Sequence, residues 1–207
     1  MNITKTLIDA RNMVVETSKE KIYLLKDAIK AEDVAKVTKL VSEIKKEDPS
    51  LLNYVFKEED GDNLAHIAVR AGNVEILAII ASSGIDLSAQ NRRANTPICL
   101  AVQFMRTLTP KSTNEQRKNR KRIYQDISLL LIELDEKIEQ TAYKKNLMRK
   151  DALDYLNKGI NSPVVVATLQ KRLAKSFGAI MGSSGLTKDS FSDQPLPIPR
   201  SGSVISR

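Results

Sequence analysis

His66 is the only histidine and Cys99 the only cysteine in this chain of 207 residues. An imidazole and a thiol are the pair best suited to nucleophilic chemistry near neutral pH, the ring as base and the sulfur as nucleophile. That use requires the two side chains to meet, and 33 residues separate them. A metal site usually needs three or four ligands, which one histidine and one cysteine do not supply. No G-x-x-x-x-G-K-[ST], no G-x-G-x-x-G after a strand, no G-x-S-x-G and no H-E-x-x-H is present. The expectation is a protein that is not an enzyme and carries neither metal nor cofactor.

Charge is the second chemistry on offer. Between residues 106 and 122, Arg106, Lys111, Arg117, Lys118, Arg120, Lys121 and Arg122 stand against Glu115 alone, which supplies most of the formal net charge of +8. Like charges this close repel, so packing alone is a weak reason for the run Arg117, Lys118, Arg120, Lys121 and Arg122. Three roles fit it: a patch for an acidic partner or an import factor, a contact to phosphates of nucleic acid or an anionic membrane, and a solvated loop. No aromatic side chains interleave with the run to stack bases. The sequence leaves the three open.

Composition narrows the class. Hydrophobic residues make up 42% of the chain and aromatics 4%, with no Trp. A core of Leu, Ile, Val and Ala suits close-packed short helices better than a β-sandwich. A single cysteine forms no internal disulfide, which fits a reducing cytoplasm. The first twenty residues carry charges every few positions and lack the apolar stretch of a signal peptide. The longest wholly apolar run, Ile76 to Ala81, has six residues, far short of the roughly 20 that span a bilayer.

The elements that must position these side chains show a period. Ala68 and Ala101 lie 33 residues apart, as do Gly61 and Ala94. After Gly61 the chain reads Asn63-Leu64-Ala65-His66, and after Ala94 it reads Thr96-Pro97-Ile98-Cys99. Upstream, Leu25, Ala28, Ile29, Val37, Leu40, Val41 and Ile44 suggest an earlier pair of helices, with Ala28 forty residues before Ala68. Asp48-Pro49-Ser50 should end that pair, because proline cannot donate to the helical ladder. Ile123, Ile127, Leu130, Leu131, Leu134 and Ile138 share one face of a helix expected over 123–140 and starting near Lys121. Lys150 to Leu156 is a third helix start, followed by Ser162-Pro163 as cap and first turn of its partner.

The segment from Asp60 to Gln90 resembles an ankyrin repeat, whose pattern runs roughly G-x-T-P-L-H-x-A-A-x-x-G-x-x-x-V-V-x-L-L-x-x-G-A-D. Asn95-Thr96-Pro97-Ile98-Cys99-Leu100-Ala101 resembles the next repeat in register. The resemblance implies an all-α solenoid of about four repeats, two of them degenerate. Residues 1–20 would form an N-terminal capping helix, 21–175 the repeat domain with a basic insertion at 106–122, and 176–207 a disordered Gly, Ser and Pro-rich tail. It also implies that His66 and Cys99 fill structural helix-start positions.

Repeats of this family bind other proteins. The resemblance places turn tips at Glu59, Asp60 and Asp62 for one repeat and at Arg92, Arg93 and Asn95 for the next. Their charges, −3 beside +2, would make a polarised ridge. Arg70, Ala71, Gln103 and Phe104 fall on the exposed groove face of the first helices, and an exposed Phe104 would be an anchor of the hot-spot type. The expected function is a protein-binding adaptor working through the concave groove, with nucleic-acid or anionic-surface binding through residues 106–122 as the alternative. Short stand-alone ankyrin proteins of intracellular bacteria are frequently secreted effectors, and the tail resembles their C-terminal signals. This implies a cytoplasmic protein delivered to a host without a signal peptide.

Overall fold

The computed structural model describes residues 19–106, 113–157 and 162–183. Every regular element among them is helical, and the β-type pairing they contain is an isolated bridge between Phe56 and Asp62. Helix α1 covers residues 19–30, followed by α2 (Val34–Glu47) and a 3-10 turn at Pro49–Asn53. Next come α3 (Leu64–Ala71), α4 (Val74–Ala81), α5 (Pro97–Arg106) and α6 (Asn114–Leu134). The chain continues with α7 (Ile138–Thr141), α8 (Ala152–Asn157) and α9 (Pro163–Ser183).

These helices pair and then stack. α3 packs on α5 and α5 on α8, while α2, α4, α6 and α9 form a second row in that order. Two sequence features set this up. Each first helix is too short to stand alone in water, so it must bury an apolar face on neighbours before and after it. Residues 64–69 of α3 are buried all round, as are residues 97–102 of α5. Glycine or its substitute then turns the chain between partners. Gly72 ends α3 at φ +77°, and Glu32, forty residues earlier, takes the same left-handed conformation at φ +56°. Asn73 and Asp33 next to them cap α4 and α2 by accepting the N–H of Ile76 and Lys36.

One apolar core runs through the stack from Ile22, Leu25 and Ile29 to Leu169 and Leu173. Asp48 ends α2 as expected, and Pro49 opens the 3-10 turn. Several expectations are corrected. The partner helix of α5, α6, starts at Asn114 rather than near Lys121, because Thr113 and Gln116 form a capping box that launches it early. The basic run therefore sits on helix. That helix also stops at Leu134, where the Asp135 amide donates to Leu131, and residues up to Thr141 form the separate α7. Pro163 opens α9, but Ser162 Oγ is buried without a hydrogen bond and does not cap it. α9 continues to Ser183, past the expected start of the tail at Ser176. Residues 1–18 of the expected N-terminal cap and 184–207 of the tail lie outside the described residues.

Candidate functional site

Three helix starts share one construction. Asn63, Thr96 and Asp151 precede α3, α5 and α8, and each accepts the backbone N–H three residues on, from His66, Cys99 and Asp154. Caps of this type are worth about 1 kcal/mol each. Just before them the chain makes a tight turn three times. The amide of Phe56 donates to Asp62, that of Asn91 to Asn95 and that of Asn146 to Lys150. Left-handed residues make the turns possible: Asp60 and Gly61, then Ala94, then Arg149. In the second and third turns one asparagine organises the loop. Asn91 Oδ1 accepts from the amides of Arg93 and Asn95, and Asn146 Oδ1 from those of Met148 and Lys150.

Backbone bonds join the turns to one another. The Arg92 amide donates to Asp60 at 2.7 Å, and the Leu147 amide donates to Arg93 at 3.0 Å. Gly61 permits the first junction, since a Cβ there would lie 3.0 Å from Arg92 Cγ. The tips thus form one continuous ridge along the stack.

His66 and Cys99 lie behind this ridge as structural groups. His66 Nε2 lies 2.8 Å from the Asn95 carbonyl, and Nδ1 lies 2.7 Å from Asn63 Oδ1 and 3.4 Å from the Asn63 backbone nitrogen. Burial holds the imidazole below its usual pKa. The Cys99 thiol is pushed up to about 12 by burial and donates to Asn95 Oδ1. A thiol so held stays protonated and is a poor nucleophile. Asn95 Oδ1 also accepts from Gln103 at 2.7 Å and from Asn146 at 2.9 Å, and Asn146 donates to the Tyr155 hydroxyl. Among the described residues no group of three or more His, Cys, Asp and Glu could hold a metal ion, and no helix is long and apolar enough to cross a membrane.

The expected ridge charges are rearranged by pairing. Asp62 is buried rather than exposed, its carboxylate accepting from Arg70 at 2.6 Å and Asn91 at 2.7 Å. Asn95 is likewise buried in the network just described. Polar turn residues look solvent-facing in a sequence, yet these two satisfy buried donors. Glu59 pairs with Lys30, and Asp60 with Arg93 at 2.9 Å. The polarised ridge is therefore largely neutralised from within at its first tip. Arg92, Arg93 and Arg70 are exposed as expected.

Phe104 is half-buried, correcting its expected exposure. Its ring lies 5.3 Å from that of Tyr124, with the Arg70 guanidinium 5.8 Å and that of Arg120 5.6 Å from its centre. The basic run splits on α6. Arg120 turns toward Phe104 and Tyr124, Arg117 and Lys121 are half-buried with interactions of their own, and Lys118 and Arg122 are exposed.

The third tip was not anticipated. Leu147 and Met148 are 73% and 72% exposed, more than any other large hydrophobic side chain described. The 55-residue step from Asn91 to Asn146 was the signal for this turn, hidden by the long α5–α6 connection. No known family model matches this chain, and no curated protein matches it.

Proposed function

We propose that this chain is an ankyrin-type repeat protein of about four hairpins, two of them degenerate, that binds another protein. The binding face in this reading is the turn ridge with the adjoining face of α3 and α5. One observation carries it: the turn and cap recur three times in the same register, tied tip to tip by the Arg92 and Leu147 amides. Turns whose backbones are satisfied internally need no backbone ordering when a partner binds, which favours association. Arg70, Arg92, Arg93 and the partly covered Phe104 are the contact residues from the second hairpin to the third. We further propose that the chain is a secreted effector, a reading that draws on the composition of residues 176–207.

A second reading has its own support. Lys118 and Arg122 are exposed one helical turn apart on α6 and would face the same phosphate backbone or anionic surface. A capture experiment separates the two. Protein capture by the full chain should survive neutralising Arg117, Lys118, Arg120, Lys121 and Arg122 and fail with Arg92→Ala/Arg93→Ala. Nucleic-acid binding with a steep salt dependence, lost when α6 is neutralised, would replace the first reading with the second.

A further inference from the structure

Leu147 and Met148 stand side by side at the end of the ridge, wet and yet rigidly held. The turn that carries them is fixed by five hydrogen bonds. Asn146 Oδ1 accepts the amides of Met148 and Lys150, the Leu147 amide donates to Arg93, and Asn146 Nδ2 donates to Asn95 Oδ1 and to the Tyr155 hydroxyl, both at 2.9 Å. Apart from the Met148 sulfur, which accepts from the Tyr155 hydroxyl at 3.8 Å, most of the surface of the two apolar side chains is left to water. Adjacent exposed apolar groups on an ordered element mark an interaction surface.

The charges around them indicate what it takes. From Ala142 to Lys150 the chain carries Lys144, Lys145, Arg149 and Lys150 and no acid, and Arg92 and Arg93 flank the turn from the tip before it. Lys144 is spent on the Ser88 carbonyl and Lys150 lies over the Tyr155 ring, whereas Lys145, Arg149 and Arg92 are exposed. Tyr143, 46% exposed, adds an aromatic. Met, Tyr and Arg are the residue types enriched at protein interfaces, and Met adapts its shape to a partner.

We infer that the Leu147–Met148 tip, with Arg92, Lys145 and Arg149, docks an acidic polypeptide segment that contributes an apolar side chain between its carboxylates. This rests on the reading of the chain as a protein-binding repeat and names the chemistry of its partner. The apolar pair would supply contact area, and the cations would set orientation and association rate.

Selection of short random peptides on the full chain at physiological salt tests it. Enriched peptides should combine Asp or Glu with Leu, Ile, Phe or Trp. Leu147→Ser/Met148→Ser should weaken them at least about tenfold with an unchanged melting temperature, and Arg92→Glu/Arg149→Glu should shift the selection toward basic peptides. Neutral or basic peptides, or acidic ones indifferent to Leu147→Ser/Met148→Ser, overturn the inference. If the peptides selected are lost on Arg70→Ala instead, protein binding stands and this site falls. If none is enriched, both fall. Vesicles of phosphatidylserine and phosphatidylcholine form a parallel arm, and binding there that depends on Leu147 and Met148, without acidic peptides, assigns the tip to a bilayer.

Discussion

The first and third turns share a backbone plan and differ in what they show to solvent. Both close with an amide-to-carbonyl bond, both precede a capped helix and both are joined to the second turn. In the first, Glu59, Asp60 and Asp62 are taken up by Lys30, Arg93 and Arg70. In the third, Asn146 does the internal work, and Leu147 and Met148 are left outside. A repeated scaffold separates two jobs that one turn would find hard to combine. Carboxylates that hold neighbouring turns together offer little charge to a partner, and a turn organised by a buried asparagine amide can present any side chain at its tip.

Substitutions can break this contrast, beginning with the strongest. Asn146→Ala removes both turn bonds and the amide that donates to Asn95 Oδ1 and to the Tyr155 hydroxyl, four bonds in a buried network, so it should cost about 3 kcal/mol. Denaturant unfolding with an unchanged slope would measure it. Asp62→Ala should cost less, about 2 kcal/mol, because Arg70 is exposed enough to rehydrate while Asn91 is left unsatisfied. A loss below that of Asp60→Ala would show that Asp62 is not the buried pivot of the first turn.

The next effect is one of pH. Burial lowers the His66 pKa, so below about pH 6.5 the unfolded chain takes up a proton that the folded chain refuses. Stability should therefore fall with pH through that value, by up to about 1.4 kcal/mol per pH unit. The buried Asp135 and Asp151, whose pKa values burial raises, act oppositely and in the lower carboxylate range. Melting curves of wild type and His66→Gln between about pH 7.5 and about pH 5.5 isolate the histidine, and the variant should be flatter. Equal slopes would mean that the His66 pKa is the same in the folded and the unfolded chain.

Smaller effects sharpen the comparison. Asp60→Ala breaks an exposed pair with Arg93 and should cost under about 1 kcal/mol, measured by the denaturation midpoint. Leu147→Ser/Met148→Ser should change stability by no more than about 0.5 kcal/mol, in contrast to Asn146→Ala one residue away. A large loss there would place the pair in the fold and remove it from the candidate binding surface.

Much of the helical layout was legible in the sequence. The step from Asn63-Leu64 to Thr96-Pro97 locates α3 and α5, Asp48-Pro49 locates the end of α2, and the apolar face from Ile123 to Leu134 reports α6. Thr113 and Gln116 carried the signal for the earlier start of α6, but the density of charge behind them reads as loop. The tips were harder. Asp62 and Asn95 resemble solvent-facing turn residues, and only the neighbouring turn shows that Arg70, Asn91, Gln103 and Asn146 draw them inward. Periodicity gives no sign of long-range pairs such as Asn95 with Asn146, 51 residues apart.

The account depends on the tips being stitched into one ridge, and backbone amide hydrogen exchange on the full chain reads the stitches directly. The Arg92 and Leu147 amides should exchange as slowly as the neighbouring caps at Cys99 and Asp154. Exchange of both at the rate of an unstructured peptide would mean that the turns are independent loops, and no continuous surface would exist for a partner to bind.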